Sequence, residues 1–308
     1  MKGGRDMRKL IAVFACICVM VFLFASVSWA DNWVTKSYGK IPPPQFTPYL
    51  KSLIKTGNVY DLGVVRSADM PLWPGHPKFV VMNYKFHGET SILEPATFQN
   101  DFVIMCNHAG THMDALNHIG ERRSDGKIAI YGGKTADQIK EWWGMNWMSS
   151  ADMVPVVLRG VVLDFCKYFG EDPMMRELTP ADIKGCMKAQ GIEVKPDVPT
   201  AFLIRTGWIK PWFKGTPIDG EGGPNLDAEK YMNSIGGVVT GADSVSYEWM
   251  PNITHPVHRY MCLNGYCMNE LLNLEGPAAD GVYEGIYIAL PLKIRGTSGS
   301  NIDPILIN

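Results

Sequence analysis

The chain has 308 residues, of which 46% are hydrophobic and 19% charged, a composition typical of a globular protein with a sizeable core. Its formal net charge is −2, so it lacks the basic field that attracts nucleic acid, and no nucleic-acid partner is expected. The cysteines beyond residue 30 include no Cys-x-x-Cys pair. They therefore predict neither a disulfide framework nor a thiolate metal site.

The first 30 residues have the layout of a secretory signal peptide. Basic residues open the segment, an apolar run covers residues 10–27, and Ser28-Trp29-Ala30 offers small residues where a signal peptidase cuts. We expect cleavage after Ala30 and a periplasmic or secreted mature protein. The apolar run is long for a signal, so an uncleaved membrane anchor is the alternative. The sequence also leaves lipidation open.

Residues 31–57 form a polar, proline-bearing N-terminal arm, whose Pro42-Pro43-Pro44 run favours extended backbone packed on the body or on a neighbouring subunit. From residue 58 to 308 the pattern predicts one mixed α/β domain. Asp243-Ser244 is predicted to form the N-cap of a helix at 244–249. The predicted strands lie at 59–66, 79–87, 100–107, 154–165, 200–206 and 285–290, and the predicted helices at 135–145, 180–190, 225–235, 244–249 and 255–273.

One run, His108-Ala-Gly-Thr-His112-Met-Asp114-Ala-Leu-Asn-His118, places three of the seven histidines within eleven residues. Imidazole and carboxylate together suit zinc, manganese or iron(II). Gly110 argues against a helix here, and we expect a strand end that runs into a tight loop. Asp114 can then supply an oxygen to the ion bound by His108 and His112, whereas His118 lies close enough to move protons. The alternative is a set of ordinary surface and core histidines.

A second cluster lies far downstream, where His255-Pro-Val-His258 is followed by Asn269-Glu270. A helix that carries His258 and a turn that brings back Glu270 would complete the coordination sphere or hold a second ion. Taken alone this signal is weak, because a histidine and a glutamate twelve residues apart are more often unrelated.

The stretch His-x-Gly-Thr-His-x-Asp-x-x-x-His at 108–118 resembles the signature of the cyclase family of metal-dependent hydrolases. That family includes bacterial kynurenine formamidase and isatin hydrolase. Blocks at 71–77, 203–208, 237–244 and 258–274 agree with the family in order. The resemblance covers about residues 58–300 and implies a single domain with the swivelling β/β/α fold of that family.

The resemblance implies a role for each matching position. His108, His112 and Asp114 match the primary metal ligands. His258 and Glu270 match the ligands that complete a second site, with Asp114 able to bridge the two. The acidic residue at 270 favours two ions, since members with a neutral amide there resemble single-ion enzymes. The implied cofactor is Zn²⁺ or Mn²⁺, at one or two ions per chain.

The same resemblance implies roles for two further residues, and this chain departs from the family pattern at one position. His118 matches the acid/base histidine, and Trp73 matches an aromatic residue that lines the substrate pocket. From the residues alone, a packed turn aromatic is the favoured interpretation of Trp73. The family usually has proline two residues before the last histidine, and Leu116 stands there in this chain. That departure puts the rigidity of the loop in doubt, not the ligand set. The family also suggests a homodimer or homotetramer.

The chemistry follows from what such an ion does. A bound divalent ion lowers the pKa of its water, supplies hydroxide at neutral pH and polarises the attacked carbonyl. The departing nitrogen or oxygen needs a proton, and histidine, with a reference pKa near 6.5, suits that transfer. We therefore expect an exported hydrolase that cleaves an amide, imide or lactone bond of a small cyclic or aromatic substrate, in the manner of an arylformamidase.

Two alternatives stay open. The first is a metal-binding protein that kept the fold without turnover, against which His118 and Glu270 argue, because binding needs no acid/base group beside the ion. The second is a lyase or dehydratase that uses the ion to stabilise an enolate. Kynurenine formamidase acts on a cytoplasmic metabolite, so its substrate is not transferred to a chain expected to leave the cytoplasm.

Overall fold

A mixed sheet of nine strands runs through the part of the chain described by the computed structural model, residues 36–89, 95–214, 220–251 and 253–308. The expected signal peptide lies outside the described residues, as do the first residues of the arm. The helices are α1 Pro48–Ser52, α2 Ala136–Ile139, α3 Phe165–Phe169, α4 Pro180–Ala189, α5 Ile209–Trp212, α6 Leu226–Ser234, α7 Pro256–Asn264 and α8 Glu275–Ala279. Among these described helices, none has the length and apolar character needed to cross a membrane.

The strands are mostly short, as expected from runs bounded by Gly, Pro and Asp. They are β1 Val59–Asp61, β2 Val80–Lys85, β3 Asn100–Ile104, β4 His112–Asp114, β5 Glu121–Arg122, β6 Ile128–Ile130, β7 Lys134–Thr135, β8 Lys140–Glu141, β9 Gly144–Met145, β10 Val156–Asp164, β11 Glu177–Leu178, β12 Thr200–Arg205, β13 Gly223–Pro224, β14 Gly237–Ala242, β15 Cys267–Glu270, β16 Glu284–Ala289, β17 Gly299–Asn301 and β18 Ile305–Ile307.

The order of the large sheet is β1-β18-β16-β10-β12-β14-β15-β4-β17. Its central strands β10, β12, β14 and β15 are parallel, whereas β16 and β4 join them antiparallel on the two sides. The parallel strands β10 and β12 are almost wholly buried, which is why both read as continuous apolar runs. The carboxyl end of β15 pairs with β4, and that edge of the sheet carries the candidate site.

Three helices, α4, α6 and α7, pack successively on one another and against the parallel strands. Helix α4 begins as predicted, with Thr179 as its N-cap and Pro180 in the first turn. The carboxylate of Asp182 accepts the reciprocal hydrogen bond from the backbone N–H of Thr179. The apolar faces of these helices and strands form one large buried core, which includes Val161, Leu163, Ile183, Phe202, Ile204, Met232, Met261 and Met268. This core fixes the position of α7 relative to β15.

The six predicted strands are all present. Five are shorter than expected, most of all the first, which ends at Asp61, and the last has the predicted length but begins one residue earlier. The helices predicted at 180–190 and 225–235 are confirmed. The helix predicted at 255–273 is wrong beyond Asn264. Gly265 ends α7 in a left-handed conformation (φ 83°), and residues 267–270 then form β15. The helix predicted at 135–145 is a single turn followed by the small β8–β9 hairpin.

The helix predicted at 244–249 is also wrong, and its residues form an irregular loop after β14. Asp243 does not cap a helix. Its carboxylate accepts hydrogen bonds from the backbone N–H and hydroxyl of Thr206 and from the N–H of Gly207. These bonds join the loops that follow two neighbouring parallel strands, so tertiary contacts outweigh the local capping preference.

The β2–β3 hairpin stands apart from the large sheet. Within the described ranges its two strands pair only with each other, and every strand residue except Lys85 is exposed. A two-stranded hairpin is marginally stable by itself, and natural proteins seldom leave this much apolar surface in water. Its exposed large apolar side chains and those next to it are Val80, Val81, Met82, Tyr84, Phe86, Phe102, Val103 and Ile104.

Candidate metal centre

Two of the expected ligands, His112 and Asp114, lie on strand β4 and not on the loop that the sequence suggested. Side chains two apart on a strand point to the same face, so the imidazole and the carboxylate project together. The turn precedes β4 and contains Gly110 at φ 67°, a conformation that glycine adopts without strain. A Cβ at position 110 would lie 2.8 Å from the Nε atom of Arg66, so the close approach of Arg66 also favours a residue without a side chain here.

The first half of the cluster comes from this turn and β4. The Nδ1 atom of His108 lies 2.8 Å from Oδ1 of Asp114, and its Nε2 lies 2.9 Å from the hydroxyl of Ser298. The Nδ1–H of His112 donates to the carbonyl of Gly110 at 2.8 Å. That bond leaves the Nε2 atom of His112 to face the cluster, 3.5 Å from Oδ1 of Asp114.

The second half comes from helix α7 and strand β15. The Nε2 atom of His258 lies 3.1 Å from Oε1 of Glu270 and 3.8 Å from Oδ2 of Asp114. Glu270 stands opposite His112 in the β15–β4 pair, and its Oε2 lies 3.1 Å from Nε2 of that histidine. His255, just before α7, and Leu271, just after β15, adopt positive φ values of 46° and 55°. The structure thus brings together all five residues expected to bind metal.

The expected acid/base residue, His118, lies in the turn after β4. Its ring stacks on that of His108 with 4.0 Å between centroids, and its Nε2 is 3.8 Å from Oδ2 of Asp114. Its side chain is 25% exposed, whereas that of His112 is fully buried. Burial lowers the pKa of His118 to about 3, although Asp114 acts in the opposite direction. The ring is therefore neutral at pH 7, and the reference pKa of 6.5 does not apply here.

The charges of the cluster are strongly coupled. Burial alone would lower the pKa of His112 and His258, but the neighbouring carboxylates raise both to about 10. Burial alone would raise the pKa of Asp114, but the imidazoles of His118 and His108 hold it well below its usual range. The pKa of Glu270 is also lowered, against its burial. Two buried carboxylates thus need positive charge beside them, which protons or a divalent ion can supply.

The donor atoms fit a divalent metal. The Nε2 atom of His112 and Oδ2 of Asp114 are buried and make no hydrogen bond within the described part of the chain, so both are available as ligands. Donor atoms that converge within 4.8 Å of one another come from His108, Asp114 and His118, and from Asp114, His258 and Glu270. Imidazole nitrogens with carboxylate oxygens are the ligands of zinc and manganese sites.

Trp73 lies at the side of this cluster, with its ring 6.2 Å from that of His255. The ring of His76, three residues further along, is 6.3 Å from that of His108, and its Nδ1 is buried without a hydrogen-bond partner in the described ranges. His76 is a site neighbour that the sequence did not indicate, although the residue belongs to one of the family blocks. Glu248 is a second such neighbour, and its Oε1 lies 2.5 Å from Nδ1 of His258.

The departure at Leu116 has a structural counterpart in the arm. The N–H of Leu116 donates to the hydroxyl of Tyr38 at 2.9 Å, and that hydroxyl donates to the carbonyl of Met148 at 2.7 Å. A proline at 116 would have no N–H to donate. Tyr38 is buried, and the N–H of Lys40 bonds the carbonyl of Gly265 at the end of α7. The arm therefore contacts the elements behind both halves of the cluster.

The fold and this centre define a mixed α/β protein with a histidine–carboxylate metal site at one edge of its sheet. The Cyclase family model matches residues 60–249, more than half of the chain, and the protein belongs to this family. The resemblance seen in the sequence is thereby confirmed. A comparison with curated proteins gives no match.

Solved structures share the fold. A structure described as a novel cyclase is 24% identical, with a TM-score of 0.75 over 85% of this chain and 92% of its own. Isatin hydrolase A from Labrenzia aggregata, solved with benzyl benzoate, is 22% identical, with a TM-score of 0.60 over 82% and 94%. Isatin hydrolase A from Ralstonia solanacearum is 20% identical, with a TM-score of 0.59 over 85% and 97%. The expected mixed α/β fold of the family is confirmed.

Proposed function

We propose that this protein is an exported metal-dependent hydrolase that cleaves a carbon–nitrogen bond of an amide, imide or formamide, or a lactone bond, in a small cyclic or aromatic substrate. The observation that carries the proposal is the placement of Asp114. Its Oδ1 faces His108 and His112, and its Oδ2 faces His118 and His258. One carboxylate therefore joins the expected ligands and the expected proton carrier.

In this proposal His108, His112 and Asp114 hold one Zn²⁺ or Mn²⁺ ion, and Asp114, His258 and Glu270 hold a second. When bound, such an ion polarises a carbonyl and makes water a stronger nucleophile at neutral pH. The two carboxylates partly neutralise the charge of two ions, whereas the neutral imidazoles leave a net positive centre for a carbonyl oxygen.

His118 is the residue placed to move protons. A neutral ring accepts a proton from the attacking water and returns it to the departing nitrogen or oxygen. Its stacking on His108 fixes the ring plane, and its partial exposure opens it to the substrate side of the cluster. Trp73 is proposed to line the substrate pocket, with His76 beside it as a polar wall. Isatin, the cyclic aromatic amide that gives two of the similar structures their name, represents the substrate class.

The test uses purified protein loaded with Zn²⁺ or Mn²⁺ and a substrate panel. Aryl formamides, cyclic imides, isatin and lactones test hydrolysis, and hydroxy acids test dehydration. We expect ring opening or deformylation of at least one cyclic or aromatic member. Dehydration alone would favour a lyase, and a metal-loaded protein without turnover on any member would favour a binding protein.

Replacement of His118 separates proton transfer from metal binding. His118→Ala is expected to lower kcat by about 10²- to 10⁴-fold while the ions per chain stay unchanged, because the residue moves protons and does not ligate. His87→Ala is the control, since His87 lies on an exposed segment and contacts Thr97. Loss of metal from His118→Ala would show that His118 is a ligand and would refute its assigned role.

Two further parts of the proposal concern location and assembly. Cleavage after Ala30 and a periplasmic or secreted location are tested by the mass of the mature protein in extracellular and periplasmic fractions. Self-association as a homodimer or homotetramer is supported by the exposed apolar β2–β3 hairpin. Light scattering of the wild type and of Phe102→Lys tests it, with monomers expected for the variant. A full-length chain that stays anchored in the membrane would refute cleavage after Ala30. A monomeric wild type would refute self-association.

A further inference from the structure

Glu248 is a buried carboxylate behind the second half of the metal centre. It lies on the loop after β14, with no exposed side-chain surface. Its Oε2 accepts the N–H of Val257 at 2.8 Å, and its Oε1 accepts the N–H of His258 at 3.2 Å. The same Oε1 lies 2.5 Å from Nδ1 of His258. Glu248 therefore holds both the first turn of α7 and the ring of its histidine.

The contact with Nδ1 decides how His258 faces the cluster. The carboxylate accepts a hydrogen bond from Nδ1–H, so the Nε2 atom keeps its lone pair, which points towards Glu270 and Asp114. A carboxylate behind a histidine ligand also raises the basicity of that ligand and fixes its orientation. We propose that Glu248 is the positioning residue that prepares His258 to bind the second ion. This inference rests on the proposed two-ion centre and adds a residue to it.

The two halves of the centre differ in this respect. The Nδ1–H of His112 is held by the neutral carbonyl of Gly110, whereas that of His258 is held by an ionisable side chain. Hydrogen bonds to an ionised acceptor are about twice as strong as those between neutral groups. A change at Glu248 should therefore weaken the binding of the second ion and leave the binding of the first ion unchanged. A general loss of stability would not produce this asymmetry.

His255 is the second imidazole near Glu248, with its Nδ1 3.4 Å from Oε1. Donor atoms of Glu248, His255 and His258 all lie within 4.8 Å of one another, so a third ion held by these residues is the competing interpretation. The contact of 2.5 Å to His258 is a hydrogen bond between the carboxylate and the ring, which already occupies both atoms. This favours the positioning role over a further metal site.

The experiment measures ion affinity, without reference to turnover. Stoichiometry and the dissociation constants of Zn²⁺ and Mn²⁺ are determined for the wild type, Glu248→Gln and Glu248→Ala. We expect the wild type to bind two ions. In Glu248→Ala the second ion should bind about 10- to 100-fold more weakly, the usual effect of removing the hydrogen-bond partner of a metal ligand. Glu248→Gln keeps an acceptor for Nδ1 and should recover part of that loss. The first ion should bind unchanged in all three proteins.

Glu229→Gln is the matched control, because Glu229 is equally buried and bonds Tyr247 and Asn233 without touching an expected ligand. Thermal unfolding verifies that each variant is folded. Equal weakening of both ions, an unchanged second ion, or a wild type that binds one ion would overturn the inference. A wild type with three ions, one lost in Glu248→Ala, would establish the competing metal site. If the wild type binds two ions as expected but hydrolyses nothing, the proposed function fails and the role of Glu248 stands.

Discussion

The two halves of the metal centre are built in different ways. His108, His112 and Asp114 come from seven consecutive residues, and the rings of the two histidines are held by a backbone carbonyl and a serine hydroxyl. His258 and Glu270 come from a helix and a strand, and a third element, the loop of Glu248, orients the histidine. The first half depends mainly on one turn, whereas the second exists only when three elements are packed correctly.

Asp114 and Glu270 connect the halves. Each carboxylate faces a histidine of its own half and one of the other, at distances between 2.8 and 3.8 Å. The pairing of β4 with β15 sets Glu270 opposite His112, two residues before Asp114 on the same strand. The lesson is that a local ligand set can be coupled to a distant one by a single strand pair. Three substitutions test how far the halves are independent.

The largest effect is expected from Asp114→Asn, which breaks the connection. The amide keeps the size of the side chain but loses the charge that both halves share, so both ions should be lost and hydrolysis should fall to background. Metal analysis and turnover are the measurements, with the exposed Asp101→Asn as the control. Retention of one tightly bound ion would show that Asp114 serves one half only.

An intermediate effect is expected from Gly299→Ala, which perturbs the first half alone. A Cβ at this position on β17 would lie 2.6 Å from Cε1 of His108, so the ring must move. Overpacking costs about 1–3 kcal/mol. At about 1.4 kcal/mol per tenfold, that cost corresponds to a first ion bound about 5- to 150-fold more weakly, with the second ion unchanged. Gly276→Ala is the control, since its Cβ would meet only the ring of Tyr60 at 3.3 Å. The measurement is a titration of the protein with metal that resolves the affinity of each ion. Weaker binding of the second ion would contradict the independence of the halves.

The smallest effect is expected from Tyr38→Phe, which removes the support behind the turn of His118. The change leaves the N–H of Leu116 and the carbonyl of Met148 without the hydroxyl, at a cost of about 1–3 kcal/mol in the free energy of unfolding. We expect turnover to fall severalfold with the ion content unchanged.

A double mutant with Leu116→Pro tests whether the effect of Tyr38→Phe comes from the lost hydrogen bond. Because proline has no N–H, Tyr38→Phe should cost less in the Leu116→Pro background than in the wild type. Equal costs in both backgrounds would show that Tyr38 stabilises the protein by packing alone.

The difference between the halves also explains what the sequence could reveal. The run 108–118 shows residue types and spacing in one window, and the six strands follow from β-branched and aromatic runs. Strand β15 reads Cys-Met-Asn-Glu, which has no strand pattern, and it is a strand because β14 and β4 pair with it on either side. Local preference therefore predicted a helix across it.

Glu248 had no signal in the sequence. It lies ten residues before His258, in a loop whose path is set by bonds to other segments, such as the N–H of Ser246 to the carboxylate of Glu221. The pairing of His258 with Glu270 was also too weak to propose from spacing and came from the family resemblance. The contacts of Tyr38 with Leu116 could not be anticipated either, because they join residues 78 positions apart.

The backbone around the second half has a consequence for how this protein can change. His255, Leu271 and Tyr247 are three of the four non-glycine residues with positive φ in the described ranges, and each lies within three residues of His258, Glu270 or Glu248. Such conformations cost about 1–3 kcal/mol each, against a net stability of about 5–15 kcal/mol for a typical domain. Selection for heat resistance alone would therefore relax these positions early and lose the second ion, whereas the turn of His108 would survive the same selection.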